Sequence, residues 1–419
     1  MFCASASVRG SYAGGGQCVL ALGLAAALLL AAAMLAPAQE PAKVLLDGRD
    51  GRQLLLENFR PRAMLKVQEH HLTRARFPVV DVHTHFRIRT RHSPEQLEAY
   101  VQLMDRNQVA VCVSLDGTLG DPFDEHLKYL GKYRDRFVVF ANIDFQGAGK
   151  ADEPATWDVN QPDFVRRVVE QLKDAHKRDA AGLKLFKEFG LSYRNDDGSL
   201  IAIDDPRFDP IWQACGELKM PVLIHTADPA AFFLPIDERN ERWEELHRRP
   251  EWSFHGDKFP KREELLAALL RVVQRHPRTT FIGAHVANNA EDLKTVSRWL
   301  EKSPNLHVEI ASRISELGRQ PYTARAFFLK HQDRILFGTD GPWPEERLRL
   351  YWRFLETYDE YFPYSEKEFP PQGLWNICGV GLPEEVLRKV YYENAQRLIP
   401  GVKERLERFR PKAGGSAEQ

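Results

Sequence analysis

Short apolar runs recur along the chain from Phe77 onward, each closed by small or polar residues. Eight stand out: FPVVDVHTH ending at His85, VAVCVSLDG at Gly117, RFVVFANIDF at Phe145, AAGLKLF at Phe186, MPVLIHT at Thr226, TTFIGAH at His285, LHVEIAS at Ser312 and RILFGTD at Asp340. Runs of this length and composition predict buried strands. Between them the period changes. PDFVRRVVEQLKDAH and REELLAALLRVVQRH carry apolar residues at helical spacing. SPEQLEAYVQLMDRNQ opens with Ser93 as N-cap, Pro94 at the first helical position and Gln96 three residues after the cap. That is a capping box. Strands alternating with helices predict parallel β-α-β units, and eight of them predict a closed (β/α)8 TIM barrel, an α/β fold. An open doubly wound sheet would show a Gly-rich phosphate turn after an early strand, and none is present.

Two departures from a minimal barrel follow from the same pattern. The connection after the fifth strand, Ala227 to Pro260, is long and rich in aromatic, charged and proline residues, which predicts a lid or binding loop. Beyond Asp340, YWRFLETYDEYFPY and PEEVLRKVYYENAQRL predict a helical C-terminal extension. The barrel is thus expected over 79–405, with a disordered tail over 406–419. Residues 39–78 are polar and irregular apart from FRPRAMLKV, and are expected to pack on the outside of the barrel.

The N-terminus is a different kind of sequence. Cys18 to Leu35 is an unbroken apolar run, preceded by Arg9 and followed by Ala36-Pro37-Ala38, an A-x-A site. This predicts a secretory signal peptide over 1–38, cut after Ala38, and a periplasmic or secreted protein. The alternative is an N-terminal membrane anchor, because the run approaches spanning length. Cys3 and Cys18 leave with the signal, so Cys112, Cys215 and Cys378 remain, too few and too odd for a disulfide framework. Lys plus Arg number 58 and Asp plus Glu 59. That balance argues against a nucleic-acid partner, and no membrane contact is expected after cleavage. A small-molecule substrate is the expected partner, with a homodimer as a candidate assembly.

Chemistry gathers at the C-terminal ends of the predicted strands, where barrels carry their active sites. His83 and His85 end the first strand, His225 the fifth, His285 the sixth and Asp340 the eighth. Period-two alternation would place Asp81, His83 and His85 on one face. A single buried histidine is usually a hydrogen-bonded core residue. Four at three matching strand ends, with an aspartate, point to a divalent cation, and imidazole plus carboxylate suits zinc.

The motifs DVHTH, LIHT, GAH and FGTD resemble the signatures of the amidohydrolase superfamily, most closely its amidohydrolase-related branch of TIM-barrel metal-dependent hydrolases, which also contains aminocarboxymuconate-semialdehyde-type decarboxylases. The resemblance spans about Val79 to Arg397. It implies that His83, His85, His225 and Asp340 are metal ligands and that Asp340 also takes a proton from the attacking water. It implies that His285 polarises the substrate, or binds a second ion in two-metal relatives. Lys184, in GLKLFKEFG, is the strand-four position that is carboxylated and bridging in two-metal relatives and contacts substrate or packs in others. One ion is expected, Zn2+ first, with Mn2+ or Fe2+ as alternatives, because Lys187 adds positive charge to the same strand end. Arg313, Glu309 and Trp343 are candidate substrate-binding residues. Arg313 would clamp a carboxylate, and the alternative for Glu309 and Arg313 is a surface ion pair. Asp81 is read as orienting a histidine or as barrel-bottom structure, His255 as a solvent-exposed loop residue, and His70 and His71 receive no role.

These expectations converge on a secreted hydrolase that cleaves a C–N or C–O bond, of amide, lactone or ester type, with metal-activated water. The alternative on the same site is a decarboxylase of an unsaturated or aromatic acid. A non-enzymatic barrel would have lost ligands, and none of the expected positions is missing.

Overall fold

The computed structural model describes residues 46–410, so the expected signal peptide and the last residues of the predicted tail lie outside the described residues. The chain divides at Lys66 into two units. The described part of the first is irregular. It holds short 3-10 turns at Arg49–Gly51 and Leu56–Asn58 and no buried residue, and Leu56 and Met64 are exposed. The segment expected as one piece over 39–78 is therefore two. From Val67 the chain belongs to the second unit, where Ala75 is fully buried and Asp359 accepts from the backbone N of His70. Among the described residues, no helix is long and apolar enough to cross a membrane.

The second unit is an eight-stranded parallel barrel in sequential order. Its strands are β1 (Val79–Thr84), β2 (Val109–Thr118), β3 (Phe137–Asn142), β4 (Ala180–Leu185), β5 (Val222–Ile224), β6 (Phe281–Gly283), β7 (Leu306–Glu309) and β8 (Ile335–Leu336). The ring closes between β8 and β1 by the bonds Val82 N to Phe337 O and Asp340 N to His83 O. Helices cover the outside: α1 (Pro94–Asn107), α2 (Asp121–Leu130), α3 (Phe164–Lys177), α4 (Asp209–Glu217), α5 (Arg262–Arg275), α6 (Leu293–Lys302), α7 (Pro321–Lys330) and α8 (Glu345–Glu356). Each buries an apolar stripe, as Phe164, Val168, Leu172 and Ala175 do on α3. On α1 the expected cap is present by half: Ser93 Oγ accepts from Gln96 N, whereas Ser93 N is taken by Thr90 O, which leaves Gln96 without its part of the box.

Two corrections concern local geometry. Strand β1 pairs with β2 through register shifts between Val79 and Val80 and between Asp81 and Thr84, so strict alternation fails there. Asp81 bonds Thr339, with Oδ1 accepting from the backbone N and Oδ2 from Oγ1, and fastens β1 to the β8 end without touching a histidine ring. The second correction is the tail boundary. Two C-terminal helices, α9 (Asn394–Leu398) and α10 (Val402–Arg408), put Ala395, Ile399 and Val402 into one buried cluster with Val80, Val111 and Leu336, so order continues past residue 405.

Two buried histidines couple this packing to pH. Burial pushes His126 down to about 4 and His307 down to about 3. Both are neutral when folded and charge near 6.5 when unfolded. Their contribution is present above 6.5 and is lost as pH falls toward 4, at about 2 kcal/mol each by pH 5. Thermal melts of metal-free protein should show a lower Tm at pH 5 than at pH 7, and a His126→Gln variant should show a smaller difference. An unchanged Tm would contradict the assignment.

Candidate metal centre

The strand β1 register shift ends in two imidazoles, each fixed from behind. His83 Nδ1 lies 2.9 Å from Glu309 Oε1 on β7. His85 Nδ1 lies 2.7 Å from Asp116 Oδ1 on β2. Glu309 also accepts from the backbone N of His285 and of Ala311, and Asp116 Oδ2 accepts from Arg87 N and Ile88 N. With these donors in place, each carboxylate is held as an acceptor, so each Nδ1 carries the proton and each Nε2 keeps a lone pair. Burial, with Lys184 nearby, also drives the His83 pKa well below its ordinary value.

The two Nε2 atoms are 3.1 Å apart. Two lone pairs at that distance repel unless something positive lies between them. Asp340 completes the set: its Oδ1 is 3.8 Å from His83 Nε2 and 3.5 Å from His85 Nε2. Ligands about 2.0–2.1 Å from a tetrahedral ion sit roughly 3.3 Å apart, so the residues fit a divalent cation. Burial works to raise the Asp340 pKa, but the two imidazoles and Arg89 outweigh it and hold it below the usual carboxylate range. Arg89 Nη2 is 3.4 Å from Oδ1, and Ser312 Oγ donates to Oδ2.

The other predicted residues fall around this core. His285 Nδ1 is 2.8 Å from the Ala311 carbonyl, which can only accept. Its Nε2 is therefore bare. Its ring centroid is 4.8 Å from that of His83 and 4.6 Å from that of His225. His225 is adjacent but is not brought into the ligand set with His83, His85 and Asp340. Its Nε2 lies 3.2 Å from Asp228 Oδ1, and Lys187 Nζ holds the other oxygen at 2.6 Å. Lys184 is buried, and among the described residues its Nζ has no hydrogen-bond partner. Burial lowers its pKa to about 8 against the pull of Glu309 and Asp340. Glu309 is fully buried behind His83 and is no surface ion pair, nor does it face a substrate. Arg313 is also buried, with Nη2 on Asn288 Oδ1 and Nη1 on Ser312 O, so the surface ion pair is corrected to a buried brace beside His285. Trp343 walls the site: its Nε1 donates to Thr339 O, and Arg89 and Arg347 lie over it at 4.0 and 3.8 Å. His255 is exposed on the long loop. That loop is tied down by the buried pair Arg242–Glu316.

Backbone strain gathers at the same strand ends. Positive φ occurs at Ala227, at the four consecutive residues His285, Val286, Ala287 and Asn288, at Ser312 and at Asp340. Such conformations cost about 1–3 kcal/mol each for non-glycine residues and persist where surroundings over-determine them. Here Asn288 Nδ2 donates to Thr226 O, and Ser312 N donates to Tyr351 Oη.

Three residues in contact with the site were not foreseen from sequence: Asp116, Arg89 and Asp228. Asp116 follows an apolar run as Leu-Asp-Gly, which looks like a turn, and the others carry no motif.

A barrel with paired β1 histidines and a β8 aspartate at one mouth has the form of a metal-dependent TIM-barrel site. The family model described as Amidohydrolase matches residues 80–401, and the chain belongs to that family of TIM-barrel, metal-dependent proteins. Solved structures similar to it include a 2,6-dihydroxybenzoate decarboxylase from Rhizobium, at 17% identity over 78% of this chain and 98% of that one, TM-score 0.44. A 5-carboxyvanillate decarboxylase from Novosphingobium aromaticivorans, complexed with manganese, is 13% identical over 80% and 99%, TM-score 0.42. A probable 2-pyrone-4,6-dicarboxylic acid hydrolase from Acinetobacter baumannii is 11% identical over 76% and 98%, TM-score 0.41. No curated protein sequence matches the chain.

The carboxylates behind the imidazoles generate a test. Glu309→Gln and Asp116→Asn should each weaken zinc affinity by about 10–100-fold while leaving the ligands in place, measured by competition with a chromophoric chelator. Affinity unchanged in both would remove the orienting role.

Proposed function

We propose that this protein is an exported, one-metal hydrolase that cleaves a C–N or C–O bond of a small molecule. The observation that carries the reading is the pair of His83 and His85 Nε2 atoms, 3.1 Å apart with protons pinned on the far nitrogens and Asp340 alongside. A divalent cation bound by His83, His85 and Asp340 supplies Lewis acidity, lowering the pKa of water to about 7. Zinc suits the donor set, and manganese and iron(II) are the alternatives.

The chain's own groups then divide the work. Asp340 is ionised and one-quarter exposed, so it can accept the proton of the attacking water. Arg89 and Ser312 hold its two oxygens and fix its aim. His285 offers a bare Nε2 and is kept neutral by burial and by Arg313, so it accepts a hydrogen bond from the substrate rather than donating one. His225, with its ring against that of His285 and its Nε2 bonded to Asp228, is the candidate for a fourth ligand or a substrate partner. A single ion fits best. The second possible set, His83, His285 and Glu309, would use a carboxylate already accepting three donors. Export rests on the apolar run and A-x-A site, and mass analysis of the mature chain should show Gln39 as its first residue.

A second reading keeps the site and changes the reaction. The buried Lys184 ammonium has no hydrogen-bond partner, and a substrate carboxylate would supply one. That favours decarboxylation of an unsaturated or aromatic acid. Assays in oxygen-18 water over lactones, amides and aromatic acids separate the two: hydrolysis puts the label into the organic acid product, and decarboxylation releases carbon dioxide and leaves the organic product unlabelled.

Asp340→Asn should reduce turnover by about 10²–10⁴-fold with the fold intact by circular dichroism. Activity within about tenfold of the parent would exclude a general-base role.

A further inference from the structure

Two neighbouring cavities open at the end of the barrel opposite the metal centre. One, of about 300 Å³, is bordered by Leu127, Leu130, Phe137 and Val139 and by Gly131. The other, of about 270 Å³, lies against Val138, Ala180, Ala181 and Pro400. Arg134, Asp179 and Arg405 border both. These are the N-terminal ends of β3 and β4, a face that contributes stability rather than catalysis in barrels of this kind.

Arg405 on α10 is the unusual member. Its Nε donates to Arg134 O and its Nη1 to Gly401 O, both neutral carbonyls, and Nη2 donates to no group among the described residues. The other arginines along these walls have carboxylates: Arg134 meets Asp179 at 3.8 Å, Arg178 meets Asp124 and Asp174, and Arg408 meets Asp135. Among the described residues, Arg405 alone of these is bonded to no carboxylate. Burial lowers its pKa against the pull of Asp179 and Asp135, which act on it through space without bonding it. Guanidinium is also the group best shaped for a bidentate carboxylate. The floor beside it is apolar, and the volume is at the lower end of that found in small-ligand pockets.

We propose that these cavities form a binding site for a small amphipathic monocarboxylate, its carboxylate on Arg405 and its apolar body along Leu127, Leu130, Phe137 and Val139. The site is separate from the metal centre and does not depend on the reaction proposed there. Acidic neighbours set its selectivity. Asp179, Asp135 and Glu404 ring the mouth, so a dianion is repelled where a single carboxylate is accepted.

The test uses octanoate as probe and 1-octanol as its neutral counterpart, by calorimetric titration of the full, metal-loaded protein at pH 7. Octanoate should bind at one site and octanol at least about tenfold more weakly. Arg405→Gln should weaken octanoate by about tenfold or more. Because Arg405 also ties α10 to the turn before β3, a second variant leaves it untouched. Gly131 has helical φ and ψ of −56° and −37°, and a Cβ placed there meets nothing within 4 Å. Gly131→Phe should therefore fill the first cavity and abolish octanoate binding with Tm unchanged. Absence of binding, equal binding of octanol, or octanoate affinity unchanged in both variants would overturn the proposal, the last because it would place the anion elsewhere, for example on the metal.

Discussion

The constraint on which the site depends is the fixed tautomer of two imidazoles. Glu309 and Asp116 hold the Nδ1 protons of His83 and His85, and that leaves two lone pairs facing each other at close range. Everything nearby serves this arrangement. Glu309 is held by the backbone at the ends of β6 and β7. Asp116 is held by the first turn after β1. The imidazoles therefore cannot rotate away without stripping buried carboxylates of their donors, which is more costly than holding like dipoles together. A cation resolves the remaining repulsion, so metal binding follows from the surroundings of the ligands as much as from the ligands.

The barrel explains why such a site is possible in one chain segment after another. Strands β5 to β8 are short, and the chain leaves each through left-handed residues. Those turns put His225, His285 and Asp340 on the mouth instead of letting the strands run on. Their strain is met by Asn288, Arg313 and Tyr351, which bind neither substrate nor metal in this account but keep the turns closed.

How far the sequence disclosed this depends on how local the signal was. The eight strands were visible because apolar runs and helical periods alternate cleanly, and the Ser93 cap because it is a four-residue pattern. His83, His85, His285 and Asp340 were visible because each ends a run. Asp116 was not, because its partner lies 31 residues away and its own neighbours read as a turn. Glu309 was noticed and misplaced, since a glutamate at a strand end looks the same whether it meets solvent or a buried imidazole. The face of Asp81 was misread because alternation assumes an undisturbed register, and the shifts in β1 break it, although it does accept from the His83 backbone N. Arg405 carries no motif at all. Only the fold, which sets Arg405 on α10 beside the turn before β3, shows that its guanidinium is bonded to carbonyls and to no carboxylate.

The central claim is that one divalent ion lies between His83, His85 and Asp340. Anomalous diffraction from crystals of protein reconstituted with zinc tests it most directly. The account predicts one peak about 2.0–2.2 Å from both Nε2 atoms and from an Asp340 oxygen. No peak there, or two peaks about 3.5–4 Å apart with added density on Lys184, would contradict it.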